Sequence, residues 1–157
     1  MRRDHYEMVA LIQARPEDVY AVLADYRHEH AHIVPRKYVR NLEVEAGGVG
    51  EGTIIRYRAR AFGIERPSRA IISEPEPGRM LIEQETTSTL RTIFTVTPAQ
   101  HGQQTHVQIA SHWQPSRNPF KAIEQLFYPL IMRDMFAQSL QLIAIYVGKK
   151  YVAKSNP

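Results

Sequence analysis

The sequence predicts an α+β fold, a seven-stranded curved antiparallel sheet around one long kinked C-terminal helix, with two short helices after the first strand. Three observations carry this. Between residues 38 and 113 the chain is a succession of alternating segments divided by turn residues. From about 119 to 148 the apolar period lengthens to that of a helix and stays there. Near the start, Arg15-Pro16-Glu17-Asp18 is a helix opening, with proline first and acids in the first turn.

The elements follow in order. Tyr6 to Gln13 alternates as a first strand, with Met8, Ala10 and Ile12 on one side. The helix after it carries Val19, Val22 and Leu23 and stops near Asp25; a second runs from Arg27 to about Ile33, before Pro35. Val39 to Glu45 leads through the glycines at 47–52 into Thr53 to Phe62, where Ile55, Tyr57, Ala59 and Ala61 share a face. Glu65–Glu74, Met80–Thr87, Leu90–Thr97 and Thr105–Trp113 complete the strands. The last helix opens at Asn118-Pro119 and is expected to stop at Gly148, with Lys149 and Lys150 at its negative end. Its apolar residues fall in two phases, Phe120, Ile123, Phe127 and Leu130 on one face and Phe136, Leu140, Ile143 and Val147 on another. The slip comes at Pro129, so two rods joined by a bend are expected.

Composition bounds the function. The 157 residues read as a single domain, 1–157, with 43% hydrophobic and 23% charged residues, as in ordinary globular proteins. The absence of cysteine excludes disulfides and thiol chemistry and fits a cytoplasmic protein. The longest purely apolar run, Leu142 to Val147, is too short for stable membrane insertion. The net charge of +4 raises the question of nucleic acid. Arg56, Arg58 and Arg60 alternate on one strand face, Arg66 and Arg69 follow, and Glu83 and Glu85 are placed where they offset them on a solvated outer face. With no recognition helix or base-stacking motif, no nucleic-acid partner is expected; a homodimer is left open.

Several strings resemble a known superfamily. They are Arg15-Pro16-Glu17-Asp18-Val19-Tyr20-Ala21-Val22-Leu23-Ala24-Asp25, Gly47-Gly48-Val49-Gly50-Glu51-Gly52-Thr53, Glu76-Pro77-Gly78-Arg79, Phe94-Thr95-Val96-Thr97-Pro98 and Thr105-His106-Val107, with the proline-bearing last helix. The chain resembles the helix-grip (SRPBCC) superfamily of START lipid-transfer domains, the birch-pollen allergen type and polyketide cyclase/dehydrase-like proteins. Where many relatives carry a tryptophan after the second helix, this chain reads His32-Ile33-Val34-Pro35. The resemblance implies binding of a hydrophobic small molecule, a lipid, quinone, polyketide or aromatic metabolite, between sheet and helix. Some relatives catalyse cyclisation or dehydration, and others only hold a ligand.

Strand phases nominate the lining of that pocket: Tyr57, Ala59, Ile72, Ile82, Gln84, Thr92, Phe94, Ile109, Ser111 and Trp113, with Phe127, Met132, Met135 and Phe136 from the helix. Small residues opposite adaptable methionines suggest leftover space; the alternative is a fully packed core. Tyr57, Gln84, Thr92, Ser111 and Trp113 are polar handles able to orient a ligand or to bond within the protein. His28, His30 and His32 form an H-x-H-x-H run without a third convergent ligand, and they read as exposed histidines rather than a metal site. Asp134 reads as a surface ion pair beside Arg133, and His112 as pointing outward. No catalytic residue, cofactor or metal is assigned. A binding protein is the first reading, a cyclase/dehydrase-type enzyme in the same cavity the second. Transfer at a membrane aided by Lys149, Lys150 and Lys154 is the third.

Overall fold

The computed structural model describes residues 4–61, 63–115, 119 and 121–155, apart from the side chains of 121 and 152–155. Asn118, Phe120 and the Lys154 side chain, to which roles were assigned above, lie outside the described residues. The chain runs β1 (His5–Ile12), α1 (Pro16–Ala24), β2 (Val39–Ala46), β3 (Ile54–Ala61), β4 (Ile64–Glu76), β5 (Met80–Glu85), β6 (Arg91–Ala99), β7 (Gln104–His112) and α2 (Lys121–Ser155). The strands form one antiparallel sheet in the order β1-β7-β6-β5-β4-β3-β2, so each of β2 to β7 pairs with its sequence neighbour and β1 closes on β7. In place of the second helix there is only a single 3-10 turn, His30–His32. Asp25 accounts for this. Its carboxylate accepts from the backbone N–H groups of Arg27 and His28, and its carbonyl from those of Glu29 and His30, which folds the segment into turns.

Directly paired residues in an antiparallel ladder share a face, so the register assigns the inner side. One row reads Met8, Ile109, Phe94 and Leu81, and the next reads Tyr6, Ser111, Thr92, Glu83 and Ile72. Further along, Glu85 pairs with Ala70, Ala70 with Ile55, Ser68 with Tyr57 and Arg66 with Ala59. β5 is thus in the opposite phase to the expected one. Leu81, Glu83 and Glu85 face inward, while Ile82 and Gln84 face outward; Ile82 is buried but lies outside the core cluster. The acids expected to offset an outer arginine face belong to the interior.

The core joins Val19, Val22 and Leu23 of α1 to Leu81, Val107 and Ile109 of the sheet and to one stripe of α2. That stripe is Tyr128, Met132, Phe136, Leu140, Ile143 and Val147, in a single helical phase on both sides of Pro129. The two expected phases are therefore one, and Ile123, Leu126 and Leu130 are exposed. Gly148 does not stop the helix, which continues to Ser155. Tyr146 and Lys150 both bond to Glu29 and hold the turns around Gly148 against the segment after α1. Ala122–Tyr151 is long and apolar enough by composition to cross a membrane, but its buried stripe is packed inside the domain.

The connection between β2 and β3 is tied to α1. Gly48 accepts from the backbone N–H groups of Tyr26 and Arg27, and the N–H of Gly50 donates to Ala24. Gly50 is required here: its φ is +63, and a Cβ would lie 1.6 Å from Oε1 of Glu74. These bonds place Tyr26 and the 3-10 turn beside the inner face of β5.

Candidate functional site

α2 packs against β1, β7 and α1. Toward β3 and β6, residues that point inward keep part of their surface: Tyr57, Ala59, Ala61 and Thr92 on the sheet, Ile131 and Met135 on the helix. These inward-pointing side chains on facing elements are thus partly reached by solvent. Two surface grooves of about 440 Å³ each lie elsewhere, one beside Tyr20 and Gly78 and one beside Pro35 and Gln138.

The inner side of β5 is more polar than expected. Tyr26, fully inside, donates its hydroxyl to Oε1 of Glu83 at 2.6 Å. His30 stacks on Tyr26 with ring centroids 4.1 Å apart. Nδ1 of His30 lies 2.7 Å from the Leu23 carbonyl, an acceptor, so Nδ1 carries a hydrogen. Its Nε2 lies 3.3 Å from the same Oε1 of Glu83.

Beside this pair sits Glu85, whose side chain is 3% exposed. It accepts from the hydroxyls of Thr87 and Ser88 and pairs with Arg66 at 3.4 Å. Burial raises the Tyr57 phenol well above its ordinary value, and the nearby charges of Glu85 and Glu83 add to the effect. Burial likewise raises Tyr26, with Glu83 contributing, so both phenols stay protonated and remain donors. Ser68, opposite Tyr57 on β4 and 4% exposed, has a buried hydroxyl with no partner among the described residues.

Of the residues nominated from sequence, Tyr57, Ala59, Ile72, Thr92, Phe94, Ile109 and Ser111 lie on the inner face; Trp113 continues the phase of β7. Met132 and Phe136 are on the buried stripe, with Met135 and Phe127 half-buried at its flanks. Ser111 shares a hydrogen bond with the Tyr128 hydroxyl, and the Trp113 ring stacks on Tyr128 at 4.8 Å. Gln84 is exposed on the outer face and donates to the carbonyls of Glu85 and Leu90. His30 is not an exposed histidine: it is 1% exposed. His28 pairs with Asp25, and His32 stacks on Tyr146. Asp134 is ion-paired, but with Lys37 rather than Arg133. His112 points outward and meets His5. Lys150, counted above in a basic tail, is committed to Glu29.

Sequence reasoning missed Tyr26, His30, Ser68, Glu83 and Glu85. One available signal was that Glu83 and Glu85 share the parity of Leu81.

Comparison with known proteins adds the family. The sequence pattern described as polyketide cyclase/dehydrase and lipid transport matches residues 3–147. The chain belongs to this family. Among solved structures, the KanY protein in solution is similar at 25% identity and a TM-score of 0.78, over 94% of this chain and 99% of that one. The protein TTHA0849 of Thermus thermophilus is 20% identical with a TM-score of 0.74, over 91% and 96%. The Zhui aromatase/cyclase of Streptomyces sp. R1128 shares the fold at 12% identity and a TM-score of 0.77, over 94% of each chain. No curated protein matches the sequence. The family supplies the scaffold; the acids and phenols of the inner face belong to this chain itself.

Proposed function

We propose that this protein binds a hydrophobic small molecule in the cleft between the inner face of β3–β6 and α2. The observation that carries it is the partial exposure of inward-pointing residues on facing elements, Tyr57, Ala59 and Thr92 on the sheet and Met135 on α2. The family's description, which includes lipid transport, supports the same reading. Native mass spectrometry of freshly purified protein, followed by solvent extraction, tests it. An added small-molecule mass displaced by excess apolar ligand is expected. A clean spectrum, together with no response of Trp113 fluorescence to any apolar ligand, would refute it.

A second reading, a cyclase/dehydrase-type enzyme, is favoured by the His30–Glu83 pair. A carboxylate held on the inner face beside an imidazole can take a proton from a carbon next to a carbonyl. Glu83 would accept that proton, the electron pair would move into the enolate, and the Tyr57 hydroxyl would donate a hydrogen bond to the enolate oxygen. The check is deuterium exchange from solvent into a bound aryl ketone. Exchange lost in Glu83→Gln supports catalysis; absence of exchange in the native protein leaves binding alone.

A further inference from the structure

We infer that His5 and His112 form a two-imidazole site for a divalent transition-metal ion, Zn2+ by its geometry, on the outer face of the sheet where β1 closes on β7. The two residues are direct partners in the antiparallel ladder. One position along the same register, the Trp113 N–H donates to the Asp4 carbonyl, so that row is a hydrogen-bonded one. Rows alternate, which puts His5 and His112 in a non-hydrogen-bonded row, where side chains approach most closely. Their ring centroids lie 4.5 Å apart with the planes tilted by 38°, and Nδ1 of one lies 3.3 Å from Nδ1 of the other. Solvent reaches both: His112 is exposed and the His5 side chain is 34% exposed.

That spacing is the one a tetrahedral ion imposes. Two bonds of about 2.0–2.1 Å at the tetrahedral angle hold their nitrogens about 3.3–3.4 Å apart. It is long for a direct hydrogen bond. The far side of His5 is also arranged for coordination. Its Nε2 lies 3.2 Å from Oε2 of Glu7, and the Gln108 amide donates to the same oxygen at 3.0 Å. A carboxylate that accepts the Nε2–H leaves the lone pair of the neutral ring on Nδ1, the way zinc-binding imidazoles are oriented. Among the described residues no group of three or more histidine, cysteine, aspartate or glutamate side chains could hold a metal. The two rings therefore supply two positions and water the others. Imidazoles suit zinc, copper and nickel, whereas Mg2+ and Ca2+ take oxygen ligands. The inner-face residues of the adjacent row, Tyr6 and Ser111, take no part.

Calorimetry with Zn2+ on the tag-free full chain at neutral pH tests this, with Mg2+ as the blank. One Zn2+ per chain and no Mg2+ uptake are expected. His112→Ala, at an exposed position, should weaken Zn2+ binding at least tenfold, and Glu7→Ala, which removes the orienting carboxylate, about tenfold. His106→Ala, on the same face of β7 but opposite Leu11, should leave it unchanged. An ion held by both β1 and β7 binds the folded chain, so Zn2+ should raise the Tm of the native chain and not that of His112→Ala. Zn2+ uptake that survives His112→Ala, an equal loss in His106→Ala, or no saturable uptake below about 1 mM overturns the assignment.

Discussion

Replacing Ser68 with alanine should stabilise the ligand-free protein, and the size of the effect can be worked from the structure. The hydroxyl is on a residue 4% exposed and has no partner among the described residues, so folding strips its water without replacement. Such a group costs roughly 1–3 kcal/mol. Removing one oxygen forfeits a few dispersion contacts at about 0.1–0.2 kcal/mol each, which leaves a net gain of about 1 kcal/mol. For a chain of this length that raises Tm by about 2–4 °C. Ser111→Ala is the internal control. Ser111 is fully buried and its hydroxyl is bonded to that of Tyr128, so its loss strands a buried phenol at a cost of roughly 1–3 kcal/mol. The two single-atom deletions should therefore move stability in opposite directions. Thermal unfolding followed by circular dichroism, on protein extracted and refolded to remove bound ligand, reads both. A fall in Tm for Ser68→Ala comparable to that of Ser111→Ala would show the Ser68 hydroxyl to be partnered.

Three further outcomes follow from the same contacts. Tyr26→Phe removes the 2.6 Å bond to Glu83 and should cost roughly 1.5–3 kcal/mol by urea unfolding, as for a hydrogen bond to a charged acceptor. On α2, Met132→Ala should cost about 2–5 kcal/mol, while Leu130→Ala, on the exposed side, should stay within about 0.5 kcal/mol. Equal effects would contradict the single buried stripe. Hydrogen bonds from Tyr38, Lys37 and Gln138 hold Asp134 down to about 2, below its ordinary value of 3.8. A depressed carboxylate contributes stability that is present above its unfolded value and lost as pH falls through its folded one. The stability difference between the native chain and Asp134→Asn should thus be constant around pH 5 and vanish between about pH 4 and 2; a difference that disappeared near neutrality would refute the clamp.

The legibility of this fold in its sequence varied with how one-sided each pattern is. In β3, residues Ile55, Tyr57, Ala59 and Ala61 alternate with Arg56, Arg58 and Arg60, so burial has one answer. In β5 both parities mix apolar with polar. Met80, Ile82 and Gln84 look more like an inner face than Leu81, Glu83 and Glu85, and only pairing with Ile72 and Ala70 decides otherwise. On α2, Ile123, Phe127 and Leu130 outweigh Tyr128 as an apolar set, yet Tyr128 lies under Trp113 and bonds to Ser111. Tertiary pairing overrode the local pattern in both places. The buried polar cluster was invisible for a related reason: Leu23, Tyr26, His30 and Glu83 meet only after the turn at Asp25 and the pairing of β5 are in place.

The wrong phase of β5 is also where the chain departs from what folding alone favours. Two acids on the inner face of a sheet cost desolvation that a leucine at either position would not. Each acid has a compensating contact, Arg66 for Glu85 and the Tyr26 hydroxyl for Glu83, and yet the buried Ser68 hydroxyl on the neighbouring strand has no partner among the described residues. A carrier that recognised its ligand by apolar area alone would need neither acid. An inner face that carries two acids at this cost is what a site selecting its ligand by polar contacts, as well as by apolar area, requires.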